Sequence, residues 1–391
     1  MADDLIAVLN AGSSSLKFAV FGGGAMLRRG QVDRIGSAST GAPARLTIVG
    51  DDQTAPIKHE IEVRDHEQAL DVLFEQFQQL FGGTQLIGVG HRVVHGGAAF
   101  RSAVRIDDAV ITQLEALIPL APLHEPHNLV PIKAIRQRAP ELPQVACFDT
   151  AFHAGQSPLE QMFALPRDLY EQGVRRYGFH GLSYQYIAET LPQIDSHAAS
   201  GRTVVCHLGN GASMCAMLNG KSMASTMGFT ALDGLPMGTR SGDIDPGVLL
   251  YLLQEQGMSP DEVSDLLYHK SGLLGISGIS SDMRDLELSD AAQAAEAVEY
   301  FCYRVARELG ALAAVLGGLD ALVFTAGIGE NAPSVRARVC ELSAWLGVRL
   351  DPAANVAKQT AIHTADSAVH VLVVPTNEEL VIARQVARTL S

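Results

Sequence analysis

The sequence predicts an α/β fold built by duplication, with one loop from each half facing a shared cleft. Two observations carry this. Apolar strand-like runs alternate with amphipathic helical stretches, the pattern of sheets covered by helices. In addition, one hairpin device occurs twice. Residues 5–21 read LIAVLNAGSSSLKFAVF: an apolar strand, the turn Asn10-Ala11-Gly12-Ser13-Ser14-Ser15, then a second strand from Leu16. Residues 204–218 read VVCHLGNGASMCAML. With Ser15 laid over Ser213 the two segments run parallel without a gap, about 200 residues apart, as a duplicated domain requires.

The remaining elements follow in order. A helix is expected over 67–81, where Leu70, Leu73, Phe74, Phe77 and Leu80 share one face. Strands are expected over 87–94 and over 145–148, the latter ending at Asp149, and the domain junction is placed just after it, giving domains 1–150 and 151–376. In the second half, 204–207 and 322–325 read as parallel core strands, and Val298, Cys302, Val305, Leu309 and Leu312 stripe a long helix between them. From Thr376 onward the chain is helical; Asn377 or Thr376 caps it, and Glu378 and Glu379 favour its positive end.

Composition narrows the function. At 391 residues the chain can bury two full cores. Its 29 basic against 43 acidic residues give a formal charge of −14, which repels nucleic acid and anionic membranes. Anionic substrates then require arginines gathered locally in a cleft. No apolar run reaches the ~18 residues needed to span a bilayer. The acidic start Met-Ala-Asp-Asp leads into a strand and does not read as a signal peptide. Five scattered cysteines without a CxxC pair read as reduced core residues, hence a cytoplasmic protein.

The residues that could carry chemistry sit beside small residues at strand ends. The first hairpin tip offers backbone N–H groups, three hydroxyls and the Lys17 ammonium, a concave donor set that suits a phosphate. It is no P-loop, because GxxxxGK[ST] occurs nowhere in the chain. Arg92 lies in GHRVVHGG and Arg240 in MGTRSGD, Gly-flanked settings where backbone can approach a ligand and a planar guanidinium can meet an anion. His180 stands between Phe179 and Gly181, His207 precedes a Leu-Gly-Asn-Gly turn, and His124 follows Ala-Pro-Leu, where it either serves the site or simply holds a loop. Asp149 ends a buried strand, where α/β ligands collect. The run FTAGIGEN reads as strand, Gly turn and helix start.

The pair of hairpins resembles the superfamily of actin, the heat-shock chaperone ATPases and the sugar and acetate kinases. Within it, NAGSSSLKF, RYGFHGLSY, HLGNGAS, MGTRSGD and FTAGIGEN together are similar to the acetate kinase family, from near residue 5 to near residue 385. The resemblance implies two actin-like (RNase H-like) domains with a cleft between them, and a last helix, about 377–391, packed back on the first. It implies reversible, Mg²⁺-dependent phosphoryl transfer (Mn²⁺ possible) between ATP and acetate, giving acetyl phosphate and ADP, in a homodimer. Asp149, Arg92, Arg240 and His180 would be catalytic, with His180 and Arg240 stabilising the transition state. Arg92 with Val94, Leu123, Phe179 and Ala231 would hold the acyl substrate. ATP would meet Asn10, Ser13, Ser15 and Lys17, then His207, Leu208, Gly209, Asn210 and Gly211. It would also meet Asp282, Met283 and Arg284, and Ala326, Gly327, Ile328, Gly329 and Asn331. Asn10 and Glu378 would serve the metal.

The chain departs from the family wording in places. Met283 stands for a frequent Phe, Ala231 for a proline of the acyl pocket, Glu125 for a frequent Asn, and Leu182 and Tyr184 interrupt GFHGTSH. In the family a Val at position 94 goes with acetate and a smaller residue with propionate. A propionate kinase of the same fold, and an actin-like or chaperone-like ATPase module, remain the alternatives.

Overall fold

Strands β1 (Leu5–Ala11) and β2 (Ser15–Gly22) form the first hairpin in a computed structural model that describes residues 4–36, 43–50, 56–82 and 84–391. The chain divides into two compact units, Met1–Ala151 with Asn377–Ser391, and Phe152–Thr376.

The first unit continues with β3 (Ala25–Asp33), β4 (Ala44–Gly50), β5 (Ile57–Ile61), β6 (Leu86–Val93), β7 (Val104–Arg105) and β8 (Gln144–Phe148). These form one eight-stranded sheet in the order β5-β4-β3-β2-β1-β6-β8-β7, in which β6 runs parallel to both β1 and β8. The second unit holds β9 (Arg202–Leu208), β10 (Ala212–Leu218), β11 (Lys221–Ser225), β12 (Ala321–Thr325) and β13 (His370–Val373), ordered β11-β10-β9-β12-β13. Here β12 is parallel to β9 and to β13. The series β3-β2-β1-β6-β8 and β11-β10-β9-β12-β13 are therefore one topology written twice, an antiparallel meander extended by two parallel strands.

Two sequence expectations change in detail. The first half does not begin by alternating: among the described residues five strands precede the first α-helix. Strand β4 buries Ala44, Leu46 and Ile48 at period two, while β5 is a polar edge strand, Ile-Lys-His-Glu-Ile, exposed along most of its length. The gapless overlay of the hairpins also shifts. Ala11 pairs with Leu16, but Met214, the residue laid over Leu16, pairs with Cys206 and not with Gly209. The second turn is shorter by one residue, so the two tips correspond as devices but not residue for residue.

The helices follow their apolar stripes closely. Helix His66–Phe81, capped by Asp65 accepting from Gln68 N, buries Leu70 and Leu73, while its stripe fades to Leu80 at 38% exposed. Helix Ala292–Leu316 buries Cys302, Val305, Leu309 and Leu312, with Val298 half-buried and Phe301 added to the face. Helix Glu378–Leu390 is capped by Asn377, whose Oδ1 accepts from Leu380 N at 3.0 Å. It packs on β6, where Gly88 and Gly90 leave room: a Cβ on Gly90 would overlap Ile382 and one on Gly88 would stand 2.5 Å from Leu390. All five cysteines are free and buried.

Candidate active site

Parallel pairing of β6 and β8 brings the ends of both strands together in the first unit. Arg92 Nε donates to Asp149 Oδ1 at 3.1 Å and Oδ2 at 3.2 Å, and Nη2 donates to Oδ2 at 2.7 Å. The third nitrogen, Nη1, lies 3.6 Å from Glu378 Oε2 at the start of the C-terminal helix. Asp149 is 2% exposed and the Arg92 side chain 21%. Burial disfavours the guanidinium charge, but Asp149, Glu378 and Glu379 outweigh it and hold the group above its ordinary range. Arginine is thus fixed as a cation and oriented by a two-pronged bond.

The surrounding loops are tied to this pair. Asn128, buried in helix Glu125–Arg138, accepts from Val94 N at 3.0 Å and donates to Ala11 O at 3.0 Å. One amide thus joins the first hairpin turn to the segment after Arg92. His66 Nε2 bonds Gly12 O at 2.7 Å from the other side of that turn. Asn10 faces Lys17 across the hairpin; Ser13 and Lys17 are exposed, Asn10 and Ser15 half-buried. Leu123 is 37% exposed, and His124 occupies the cap position of helix Glu125–Arg138 without a side-chain capping bond. Behind them Glu125 is fully buried. Burial, with Asp149 nearby and only a His95 backbone bond opposing, pushes its carboxyl up to about 8.

The second unit gathers the other group around the Gly209-Asn210-Gly211 turn. Gly238 N donates to Asn210 O at 3.0 Å, and a Cβ on Gly238 would overlap Asn210 Oδ1, so any larger residue there would displace the Asn210 side chain. Arg240 Nη1 donates to Ala231 O at 3.1 Å. His180 adopts φ +56°, a strained left-handed conformation for a residue with a Cβ, just before helix Gly181–Ile194. Its loop is propped by buried His153, whose Nε2 donates to Phe179 O at 2.9 Å and whose Nδ1 meets Ser222 Oγ at 2.8 Å. Burial, partly opposed by that Phe179 bond, lowers His153 to about 4 and keeps it neutral. The His180 and His207 rings stack at 4.2 Å. A Cβ built on Gly211 would lie 3.3 Å from His180 Nε2 and 3.8 Å from Arg240 Nη1, so both groups border the same small space.

Beside this turn a cavity of about 730 Å³ is lined by Gly209, Asn210, Asp282, Met283, Arg284, Gly327, Ile328 and Asn331. Ser281, which opens the segment expected to meet adenosine, lines it too, as do Glu287 and Ala332, to which sequence reasoning gave no role. Leu208, Ala326 and Gly329 are buried and stand outside that lining. Ala326 has φ +64°, and its N–H donates to Glu330 Oε1 at 2.9 Å, which also accepts from Thr376 N at 3.2 Å. Arg284 pairs with Asp282 at 2.5 Å, and that bond holds the Asp282 acid down at about 2. Of the acyl-pocket candidates, Val94 and Leu123 belong to the first unit, and Phe179 and Ala231 to the second.

Asn128, Ser183 and Ser213 are polar side chains bonded to the site's loops and histidines that sequence reasoning also left without a role. Nothing marks Asn128 in the text except its distance of one helical turn from His124.

Two copies of this sheet topology, each with a short turn between its first two strands, define the actin-like ATPase class of folds. The Acetokinase family profile matches residues 5–384, and the chain belongs to that family. It is 53% identical to an acetate kinase of Rhodopseudomonas palustris over 98% of each chain, and 50% identical to one of Rhizobium meliloti over 99% of each. Among solved structures it resembles Porphyromonas gingivalis acetate kinase (36% identity, TM-score 0.89, 99% of this chain and 100% of that one). It equally resembles a propionate kinase from Francisella tularensis (36%, TM-score 0.91, 98% of each).

Proposed function

We propose that this chain catalyses reversible phosphoryl transfer between ATP and acetate, giving acetyl phosphate and ADP. Membership of the acetokinase family supports the reaction. The observation that carries the residue-level reading is Arg92, held by Asp149 on Nε and Nη2 and kept cationic in a chain of net charge −14.

Phosphoryl transfer asks the protein mainly for placement and for positive charge on the moving oxygens. An acetate oxygen attacks the γ-phosphorus in line, and the bond from that phosphorus to the bridging oxygen of ADP breaks. Arg92 binds the anionic acyl group, positioned by Asp149, and Val94, Leu123, Phe179 and Ala231 take its methyl. Arg240 and His180 neutralise the transferring phosphoryl. Adenosine occupies the cavity beside Met283 and Ile328, with the phosphates reaching His207, the Gly209–Gly211 turn and, from the first unit, Asn10, Ser13, Ser15 and Lys17. The reaction requires both units to serve one substrate pair; the division at about residue 150 and a cleft between the domains are part of this proposal.

The metal would be held by Glu378 and Asn10. Both offer oxygen donors. That suits Mg²⁺, which takes one or two carboxylates and fills its shell with phosphate oxygens and water. Mg²⁺, or Mn²⁺ in its place, supplies charge neutralisation on the nucleotide phosphates.

A cytoplasmic homodimer completes the reading. The five buried free thiols support the compartment. Helix Pro246–Gln254 buries none of its residues yet exposes Leu250, Tyr251 and Leu253, an apolar face suited to a second copy. Among the described residues no helix is long and apolar enough to cross a membrane, and the acidic charge disfavours nucleic acid.

The test is acyl phosphate trapped as hydroxamate, with ATP, Mg²⁺ and a series of acids from formate to butyrate. Acetate is expected to give the highest kcat/KM. A higher value for propionate would make the chain a propionate kinase, and phosphate release without acyl phosphate would make it an ATPase module.

A further inference from the structure

The first turn of helix Gly181–Ile194 carries two side chains that reach back to the stacked histidines. Ser183 Oγ lies 2.8 Å from His207 Nδ1. Its neighbour, the Tyr184 hydroxyl, lies 2.6 Å from Ser213 Oγ, which in turn lies 2.8 Å from His180 Nδ1. Tyr184 and Ser213 are both fully buried. The tyrosine ring packs in the core of the second unit with Ile187, Val205 and Val323, so packing fixes where its hydroxyl points.

We infer that Tyr184 is a positioning residue that, through Ser213, makes His180 Nδ1 an acceptor and leaves the ring proton on Nε2. The direction follows from the chemistry of the three groups. Serine has one proton to give, and a phenol is a better donor and a poorer acceptor than an alcohol. The favoured chain therefore runs from Tyr184 O–H to Ser213 Oγ, and from Ser213 O–H to His180 Nδ1. A neutral imidazole bonded in this way has a single tautomer, with its proton on Nε2. His180 Nε2 is the atom that borders the space beside Gly211 shared with Arg240 Nη1. The relay aims a preformed N–H at the place where a phosphoryl oxygen must gain a donor, without a proton having to be captured from solvent first. Tyr184 is also where this chain departs from the family wording GFHGTSH, so the hydroxyl relay is a property of this sequence.

The inference rests on His180 meeting the transferring phosphoryl, and three variants of the full chain separate the two. Tyr184→Phe keeps the ring and removes only the hydroxyl; Ser213→Ala cuts the same chain in the middle; His180→Gln tests the histidine itself. Each is assayed for kcat and for both KM values, and the histidine ¹⁵N spectrum is recorded, with the His180 signals assigned by their loss in His180→Gln. The expected result for Tyr184→Phe and Ser213→Ala is a fall in kcat of about tenfold with both KM values within about twofold. The His180 ¹⁵N pattern should shift from the Nε2–H tautomer toward Nδ1–H, a change that a purely structural role would not produce. If His180→Gln loses turnover while Tyr184→Phe keeps both turnover and the Nε2–H pattern, the relay is overturned and the role of His180 stands. If His180→Gln turns over like wild type, the role of His180 itself fails, and the relay falls with it.

Discussion

Asp149 grips Arg92 by two of its three guanidinium nitrogens, and the third faces Glu378 from a helix almost 230 residues further along the chain. A cation so placed is specified in direction as well as in charge, and Arg92 and Glu378 each yield an expectation.

Arg92→Lys keeps the charge but cannot reproduce two parallel N–H bonds to Asp149. Turnover should fall by about 100-fold or more, with the thermal unfolding midpoint little changed. Steady-state kinetics alongside a melting curve decide it, and a Lys variant with near wild-type turnover would remove Arg92 from the reacting centre.

Glu378→Ala removes the carboxylate assigned to the metal. The Mg²⁺ concentration for half-maximal activity should rise, while nucleotide affinity measured without metal stays close to wild type. An unchanged Mg²⁺ midpoint would take Glu378 out of the metal site.

Val94→Ala deletes two methyl groups from the assigned acyl pocket and should favour propionate over acetate by about tenfold in relative kcat/KM, the range that one methylene allows. Wild type should also accept some propionate, because Ala231 leaves more room than proline would. An unchanged ratio of the two acids would mean that Val94 does not line the pocket.

Glu125 gives a prediction about pH. Burial raises its carboxyl to about 8 in the folded chain, well above its value in an unfolded one. Between those two values the native state keeps a proton that the unfolded state has released, so stability must fall as pH rises across that interval. Below the unfolded value both states are protonated and the effect vanishes. Glu125→Gln should therefore unfold at nearly the same urea midpoint as wild type at pH 4 and at a higher one at pH 8. Parallel curves at the two pH values would mean that the side chain is not buried as an acid.

Much of this architecture could be read from the text. The second-half strands and the long helix stood out because apolar residues recur at the period of each element, and the strand ends that carry Arg92 and Asp149 followed from them. Strands β3 to β5 did not, because a half-exposed meander mixes polar residues into both faces and its edge strand has scarcely any apolar pattern. The hairpin overlay matched residue types but not pairing, since register is set by turn length and sequence similarity does not report it. Asn128 and Ser213 were illegible for a different reason. Their importance lies in partners 117 and 33 residues away, a relation that exists only once the chain is folded.

The C-terminal helix has a consequence for the making of the protein. Every residue from Phe152 to Thr376 is polymerised before the helix that covers Gly88 and Gly90 and delivers Glu378 to Arg92. On the ribosome the first unit therefore waits, with one apolar face of its sheet uncovered, while the whole of the second unit is synthesised. A chain that stops short of residue 377 lacks both the cover and the carboxylate. A prematurely terminated product would keep an exposed sheet face of the kind that chaperones and proteases recognise.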